Sequence, residues 1–163
     1  NSSSPYSSID GTIIGNDQTV EESIRKSKIK WLPNNHEFGW LYDKIANMAV
    51  EANGLWGFDL HSIVDDIQFT EYEAGGGHYD WHQDIGAGRS SHRKVSITVQ
   101  LSGPDEYEGG DLEYWKGGQD IQKAPRGKGV VFIFPSYMMH RVTPVTKGVR
   151  RSFVLWVGGG HYK

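Results

Sequence analysis

Short runs of β-forming residues, separated by clusters of glycine, fill most of the sequence after Gly57. The runs cover residues 63–72, 79–84, 95–101, 111–115, 130–134, 138–142 and 149–157. Several short strands at this spacing are typical of a β-sandwich or a β-barrel. The sequence therefore predicts a mainly β protein.

The run 95–101 has the cleanest alternation of apolar and polar residues. Its apolar face carries Val95, Ile97, Val99 and Leu101, and its polar face carries Ser96, Thr98 and Gln100. Because successive side chains of a strand point to opposite faces, one face is predicted to be buried in the core. The polar face is then exposed to solvent or forms the wall of a polar pocket.

One amphipathic helix is predicted over residues 38–52, where apolar residues recur at helical spacing. Asn34 and Glu37 have the spacing of a capping box, and Gly54 has the position of a C-terminal stop. We expect the apolar stripe to pack on a sheet. The chain of 163 residues has the length of one domain, predicted over residues 1–163, with a flexible Ser-rich arm at residues 1–10.

The composition excludes several kinds of chemistry. Without cysteine there can be no disulfide, thiolate zinc site, iron–sulfur cluster or cysteine nucleophile, so His, Asp or Glu must hold any metal. A net charge of −3 and the lack of a basic stripe with stacking aromatics argue against nucleic-acid binding. No apolar run approaches the length of a membrane span, and no secretory leader is evident. We therefore expect no membrane partner and a cytoplasmic location.

A candidate metal site emerges from the histidines. His82 and Asp84 lie two residues apart, so on a strand their side chains project from the same face. The best third candidate is His140, which follows an apolar strand and a turn containing proline. Two histidines and one carboxylate form the ligand set of non-haem Fe(II) oxygenases. His78 shares the strand face but lacks ligand spacing, and the remaining histidines are expected at the surface: His36, His61, His92 and His161.

The last quarter of the sequence is cationic, since residues 121–163 contain 8 basic residues and no acidic one. An ordinary basic surface and a binding site for a small anion both explain this balance. Arg150 favours the second, because a guanidinium offers a planar fork to a carboxylate. Ser152 and Trp156 fall on the face of Arg150 by alternation, whereas Arg151 is expected to point away as a surface charge.

The pattern of His82, Asp84, His140 and Arg150, together with the stretch 94–112, resembles that of the 2-oxoglutarate/Fe(II)-dependent oxygenases. The resemblance is specifically to the prolyl 4-hydroxylase-like branch. The resemblance covers about residues 60–158. It implies a double-stranded β-helix, a jelly-roll or cupin-like barrel, with the metal between two sheets and α-helices bracing one side. The predicted helix at residues 38–52 would be such a brace.

Carried over by position, the resemblance implies that His82, Asp84 and His140 bind Fe(II) and that Arg150 pairs with the C5 carboxylate of 2-oxoglutarate. It implies further co-substrate or pocket contacts from Tyr72, Tyr79, Thr98 and Trp156. Ser152, which alternation places beside Arg150, offers a hydroxyl for one more hydrogen bond to the co-substrate. The resemblance supports a co-substrate contact at Tyr72 better than at Tyr79. Simple alternation would aim Tyr79 away from the face of His82 unless the strand twists or bulges.

The implied reaction couples oxidative decarboxylation of 2-oxoglutarate by O2 to hydroxylation of a C–H bond, with ascorbate as a reductant in vitro. The expected substrate is a prolyl residue of a peptide or protein, and the alternative is a free amino acid or another small metabolite. The spacing from Tyr72 to Tyr79 is closer to oxygen-sensing than to collagen-type prolyl hydroxylases, so subfamily does not fix the substrate. Two other classes stay open: a non-catalytic metal-bound binding module and a zinc hydrolase, which would leave Arg150 unexplained.

Overall fold

The structure is a computed structural model that describes residues 23–162 and the backbone of residues 9–10. Within these described residues, the α-helix is α1 (Gly39–Ala52), and three short 3-10 helices cover Asn53–Leu55, Gly88–His92 and Pro104–Glu106. The strands are β1 (Ile9–Asp10), β2 (Arg25–Lys26), β3 (Lys28–Leu32), β4 (Leu60–Ile63), β5 (Ile67–Glu73), β6 (Gly77–His82), β7 (Arg93–Gln100), β8 (Tyr107–Gly109), β9 (Leu112–Gly117), β10 (Asp120–Lys123), β11 (Val131–Pro135) and β12 (His140–Gly159).

The strands form two antiparallel sheets that share β12. The first half of β12 pairs with β6, β8 and β9, and the second half pairs with β4, β5 and β7. The strand passes between the sheets at Gly148, whose φ is +72°. A side chain there would meet the carbonyl oxygen of Glu106, so only glycine fits this crossing. The sheet therefore curls on itself and encloses a space between its two layers.

The main hydrophobic core lies between α1 and the outer face of the sheet that contains β5, β7 and the end of β12. Its buried side chains are Tyr42, Ile45, Ala49, Ile67, Val95, Ile97, Leu155 and Val157. A second buried cluster packs between the two sheets and consists of Tyr72, Tyr107, Leu112, Ala124, Val142 and Val145. The predicted packing of the helix on a sheet is thus observed.

The ends of α1 differ from the predicted ones. Asn34 and Glu37 make no capping box; the Oδ1 atom of Asn35 accepts hydrogen bonds from the backbone N–H groups of Glu37 and Phe38. Gly54 does not stop the helix either, since the chain continues into a 3-10 turn and reaches a positive φ only at Gly57. The side chain of Asn53 closes this turn by bonding both backbone polar groups of Phe58.

Most predicted strands are present with shifted ends. The runs 79–84, 95–101, 111–115 and 130–134 correspond to β6, β7, β9 and β11. The run 63–72 is divided into β4 and β5 by Asp65 and Asp66, and the runs 138–142 and 149–157 are one continuous strand, β12. Strands β2, β3, β8 and β10 were not predicted.

The predicted flexible arm at residues 1–10 lies mostly outside the described residues. Its last two residues, Ile9 and Asp10, form β1, which pairs with Ile29 and Lys28 of β3. The backbone of these two residues thus continues a sheet edge. Within residues 23–162, no helix is both long enough and apolar enough to cross a membrane.

Candidate active site

A cavity of about 390 Å³ opens between the two sheets. Its wall is built from both layers, with Tyr72 of β5, Tyr79 of β6, Thr98 of β7 and Arg150 of β12. Thr98 belongs to the polar face of the alternating run, and its neighbour Ser96 is completely buried. That polar face is therefore a pocket wall rather than a solvent-exposed surface.

The three candidate metal ligands meet at one end of this cavity. His82 ends β6, His140 begins β12, and the two residues are paired across the strands. Asp84 follows β6, and its Oδ1 atom lies 3.5 Å from the Nε2 atom of His82 and 3.5 Å from the Nε2 atom of His140. All three donor atoms lie within 4.8 Å of one another. The structure thus brings together the set that the spacing predicted.

Backbone carbonyls fix the tautomer of both imidazoles. The Nδ1 atom of His82 lies 2.7 Å from the carbonyl oxygen of Asp80, and the Nδ1 atom of His140 lies 2.8 Å from that of Met138. Because a carbonyl oxygen only accepts, each Nδ1 carries the proton and each neutral ring keeps its Nε2 lone pair. Both lone pairs face the Asp84 carboxylate, which is a donor arrangement that suits Fe(II).

The carboxylate of Asp84 is held from behind. Ser96 donates a hydrogen bond of 2.6 Å to the Oδ2 atom of Asp84, and the Ser96 and Ser136 hydroxyls lie 2.9 Å apart. The guanidinium of Arg93 donates to the backbone carbonyl of Asp84. These contacts leave the Oδ1 atom of Asp84 directed at the two imidazoles, so one oxygen of the carboxylate is available to a metal.

The charges of the three groups are coupled. Burial alone would raise the pKa of the Asp84 carboxyl, but His140 and His82 outweigh it and hold this pKa well below its ordinary value. Burial lowers the pKa of His82. Burial also acts to lower the pKa of His140, yet Asp84 outweighs it and raises that pKa above 6.5. Without a metal, His140 is therefore the histidine that takes a proton first.

Arg150 lies at the far end of the cavity and is only 3% exposed. Its guanidinium carbon lies 5.5 Å from the ring centroid of Tyr72, and Tyr107 is also adjacent. No carboxylate of residues 23–162 forms an ion pair with Arg150. Burial lowers the pKa of Arg150, an effect that the two tyrosines oppose. A buried guanidinium without a counter-ion favours the binding of an anion.

Most of the other basic residues in the last quarter of the chain form ion pairs and do not line an anion site. Five of them form ion pairs with acidic residues from the earlier part of the chain: Lys123 and Arg126 with Asp111, Arg141 with Glu113, Lys147 with Glu108, and Arg151 with Glu71. Arg151 points away from the cavity, as alternation predicted. The cationic stretch is thus largely neutralised at the surface, whereas Arg150 is left to the cavity.

Tyr79 lies on the face of His82, although simple alternation places it on the other face. Its ring stacks on the His82 ring with centroids 3.4 Å apart. The register between β6 and β12 shifts here, since His140 pairs with His82 but Val142 pairs with Tyr79. From one pair to the next, the chain advances three residues along β6 but only two along β12. The extra residue on β6 turns the side chain of Tyr79 into the cavity.

Ser152 and Trp156 line the cavity on the same side of β12 as Arg150. The indole N–H of Trp156 is buried and has no hydrogen-bond partner among the described residues. The guanidinium of Arg93 lies 3.8 Å above the Trp156 ring and is bound to Asp65. Trp156 is thus a lining residue of the cavity whose buried indole N–H is unpaired within the described residues.

Sequence reasoning missed several residues of the cavity. Ser96 could have been found from the polar face of the run 95–101. Arg25 and Gln68 also line the cavity, but no motif marks them, and β2 was not predicted. Of the other histidines, His36, His61 and His161 are exposed as expected, whereas His92 is half-buried against His161. His78 bonds two backbone carbonyls and takes no part in the ligand cluster.

The fold is that of known prolyl hydroxylases. A prolyl hydroxylase from Trichoplax adhaerens, in complex with a peptide fragment of the hypoxia inducible factor oxygen degradation domain, superposes with a TM-score of 0.76 at 18% identity, over 93% of this chain and 70% of that chain. A prolyl-4-hydroxylase from Pseudomonas putida gives a TM-score of 0.71 at 22% identity, over 89% and 75%. The curled sheet is accordingly the predicted double-stranded β-helix.

Sequence similarity points to the same group. A PKHD-type hydroxylase from Synechococcus sp. (strain CC9605) is 39% identical over 100 residues, which are 61% of this chain and 45% of that protein. The chain spans about half the length of the curated relatives it matches. The sequence model of the 2OG-Fe(II) oxygenase superfamily matches residues 67–158, the segment that contains every candidate metal ligand and Arg150. This chain therefore belongs to the 2OG-Fe(II) oxygenase superfamily, and it resembles the prolyl 4-hydroxylase-like members of that family.

Proposed function

We propose that this protein is a 2-oxoglutarate- and Fe(II)-dependent dioxygenase that hydroxylates a prolyl residue in a peptide or protein. One observation carries the proposal: a single cavity holds the His82, Asp84 and His140 cluster at one end and the unneutralised Arg150 at the other. A metal and a dicarboxylate can therefore be bound together. Membership in the superfamily assigns Fe(II), 2-oxoglutarate and O2 to such a site.

Each end of the cavity has a defined role in this proposal. His82, Asp84 and His140 hold Fe(II), which supplies the redox chemistry that couples O2 and 2-oxoglutarate to oxidation of a C–H bond. Arg150 binds the far carboxylate of 2-oxoglutarate. Tyr72, whose ring centroid lies 5.5 Å from the guanidinium carbon of Arg150, lines the same cavity. Thr98 and Ser152 offer hydroxyls along the wall between the two ends.

Apolar side chains limit water near the reacting atoms. Leu112, Phe134 and Val142 line the cavity, and the ring of Phe134 lies 4.7 Å from that of His140. These apolar side chains help to keep water away from the reacting atoms.

Similarity to hydroxylases of known name supports the choice of a prolyl substrate. Its relatives include PKHD-type hydroxylases, and the Trichoplax enzyme of the same fold binds a peptide. The zinc hydrolase hypothesis gives no role to Arg150, whose burial without a carboxylate is costly unless an anion binds. In a non-catalytic binding module, the metal cluster and Arg150 would bind their ligands without any reaction.

The test is succinate formation from 2-oxoglutarate with Fe(II) and ascorbate, measured with and without proline-containing peptides. We expect peptide-stimulated turnover, a product heavier by one oxygen atom in mass spectrometry, and loss of turnover in Asp84→Ala. Arg151→Ala is a matched control, because Arg151 points away from the cavity. Folded, metal-bound protein that forms no succinate with any peptide would contradict the proposal and favour the binding module.

A further inference from the structure

Arg25 is a second buried arginine in the wall of the same cavity. It lies on β2 and is 9% exposed. Its Nε atom donates to the hydroxyl of Ser27 at 2.9 Å, and its Nη2 atom donates to the Oε1 atom of Gln68 at 2.8 Å. Both acceptors are neutral. They satisfy part of the five N–H donors of the guanidinium and none of its charge.

No carboxylate in the described part of the chain neutralises Arg25. The nearby Arg93 differs, because Asp65 binds its guanidinium at 2.5 Å. Tyr79, whose ring centroid lies 4.6 Å from the guanidinium carbon of Arg25, is no counter-anion, since a phenol is neutral near pH 7. A buried cation that lacks an opposite charge is expensive unless a ligand supplies one.

The position of Arg25 relates it to the metal end of the cavity. A single ring, that of Tyr79, separates Arg25 from the candidate ligand His82: the ring lies 4.6 Å from the guanidinium carbon and 3.4 Å from the imidazole centroid. In the proposed function, the two carboxylates of 2-oxoglutarate are bound by Arg150 and by the metal. Arg25 is therefore left to a different anion, close to the atom that is oxidised.

Gln68 adds a second donor at the same place. Its Oε1 atom accepts from both Arg25 and the hydroxyl of Thr70, at 2.8 Å and 3.2 Å. These two bonds orient the amide, so its NH2 group is directed away from Arg25's nitrogen and remains free to donate. An arginine and an amide NH2 that line one cavity wall form a suitable site for a carboxylate.

We propose that Arg25, with Gln68, binds a carboxylate of the substrate that is hydroxylated. This inference rests on the oxygenase activity of the proposed function and specifies the substrate: an acidic neighbour would keep the proposed prolyl residue of a peptide, whereas a free α-carboxylate would replace it by a free amino acid. The carboxylate belongs to the reacting amino acid itself, as a free α-carboxylate, or to an acidic residue adjacent to the reacting prolyl residue. Either source places a negative charge beside Tyr79 while the reacting C–H bond faces the metal end.

The experiment compares matched acids and amides. Anaerobic calorimetry on the protein loaded with Fe(II) and 2-oxoglutarate measures binding of L-proline against L-prolinamide. It also compares blocked peptides in which proline is flanked by aspartate against the same peptides with asparagine. Succinate formation is measured with the same compounds. The first pair detects a free α-carboxylate, and the second detects an acidic neighbour.

We expect the acid of at least one pair to bind at least about tenfold more tightly than its amide, since a buried ion pair with hydrogen bonds carries at least that much discrimination. Arg25→Gln should remove the preference, and Arg25→Lys should retain part of it. Lys30→Gln, an equal charge change at an exposed position of β3, should keep the full preference. Circular dichroism verifies that each variant is folded.

Three results would overturn the inference. Wild-type protein could bind acid and amide equally in both pairs, or bind no member of either pair while still consuming 2-oxoglutarate. Alternatively, the preference for the acid could survive in folded Arg25→Gln. In each case the proposed oxygenase function would stand. Failure of the wild-type protein to bind or consume 2-oxoglutarate would overturn the proposed function and this inference together.

Discussion

Ser96 and Asp84 are joined by a hydrogen bond of 2.6 Å that determines which carboxylate oxygen faces the two imidazoles. The bond engages the Oδ2 atom, and the Oδ1 atom lies 3.5 Å from the Nε2 atoms of His82 and His140. Ser96 is completely buried and belongs to β7, which pairs with the second half of β12, in the sheet opposite β6 and His140. The orientation of the proposed metal ligand is thus set by a residue that cannot itself reach the metal.

Replacing Ser96 by alanine should weaken metal binding without preventing folding. The expected loss of affinity for Fe(II) or Mn(II) is about 10- to 100-fold, the usual effect of removing such a supporting group. Ser96→Thr, which keeps the hydroxyl, should recover most of it. Ser102→Ala is the control, because that buried hydroxyl bonds the backbone of Val149 and Arg151 away from the metal end. Titration of the metal by calorimetry measures the effect, and unchanged affinity in Ser96→Ala would refute the role.

Arg150→Ala should mainly raise the concentration of 2-oxoglutarate that the enzyme requires. Losing one partner of a buried, hydrogen-bonded charge pair costs about 2–5 kcal/mol, so KM for 2-oxoglutarate should rise at least about 30-fold. Arg151→Ala, one residue along the strand, removes an ion pair with Glu71 on the other face and should leave KM unchanged. Steady-state succinate assays separate the two. An unaltered KM in Arg150→Ala would remove this residue from its proposed role.

Metal binding should weaken as the solution becomes more acidic. In the metal-free protein Asp84 raises the pKa of His140 above 6.5, whereas burial lowers the pKa of His82. A metal must displace the proton on His140, so affinity should fall as pH drops through that raised pKa and level off above it. Calorimetry with Mn(II) from about pH 6 to about pH 8.5, in two buffers of different ionisation enthalpy, should detect up to about one proton released. Affinity and proton release that are independent of pH would contradict the assignment.

Tyr42→Phe should destabilise the fold without altering the site. The Tyr42 hydroxyl accepts from the backbone N–H of Ile67 at 2.7 Å and donates to the carbonyl oxygen of Leu32. It therefore fastens α1 to the start of β5 and the end of β3. Without it, two backbone groups lose their partner, at a cost of about 1–3 kcal/mol in the free energy of unfolding. Urea denaturation measures this, with the exposed Tyr162→Phe as the control.

The sequence was informative where a pattern has a physical period. Alternation in the run 95–101 predicted the core face of Val95 and Ile97, which is observed. For the face of Ser96 and Thr98 it left solvent or a pocket wall open, and the structure shows a pocket wall. The two-residue spacing of His82 and Asp84 likewise predicted a shared site. These predictions needed only the local geometry of a strand.

Other features depend on the neighbours of a residue and could not be predicted locally. Tyr79 reaches the cavity through a shift of register against β12, which no property of β6 alone reveals. Arg25 lies on a two-residue strand that exists because β6 pairs with it. The turn before α1 is closed by the side chain of Asn35 rather than by that of Asn34, which has the same chemistry one residue away.

Because β12 is one continuous strand from His140 to Gly159, it determines how far apart His140 and Arg150 lie. The residue proposed to hold the metal and the residue proposed to hold the far carboxylate belong to one strand, and hydrogen bonds to both sheets fix the backbone between them. The distance between the two ends is thus set by the sheet itself, and no loop can adjust it. A diacid shorter or longer than 2-oxoglutarate would have to forgo one end, so discrimination by chain length is built into the fold.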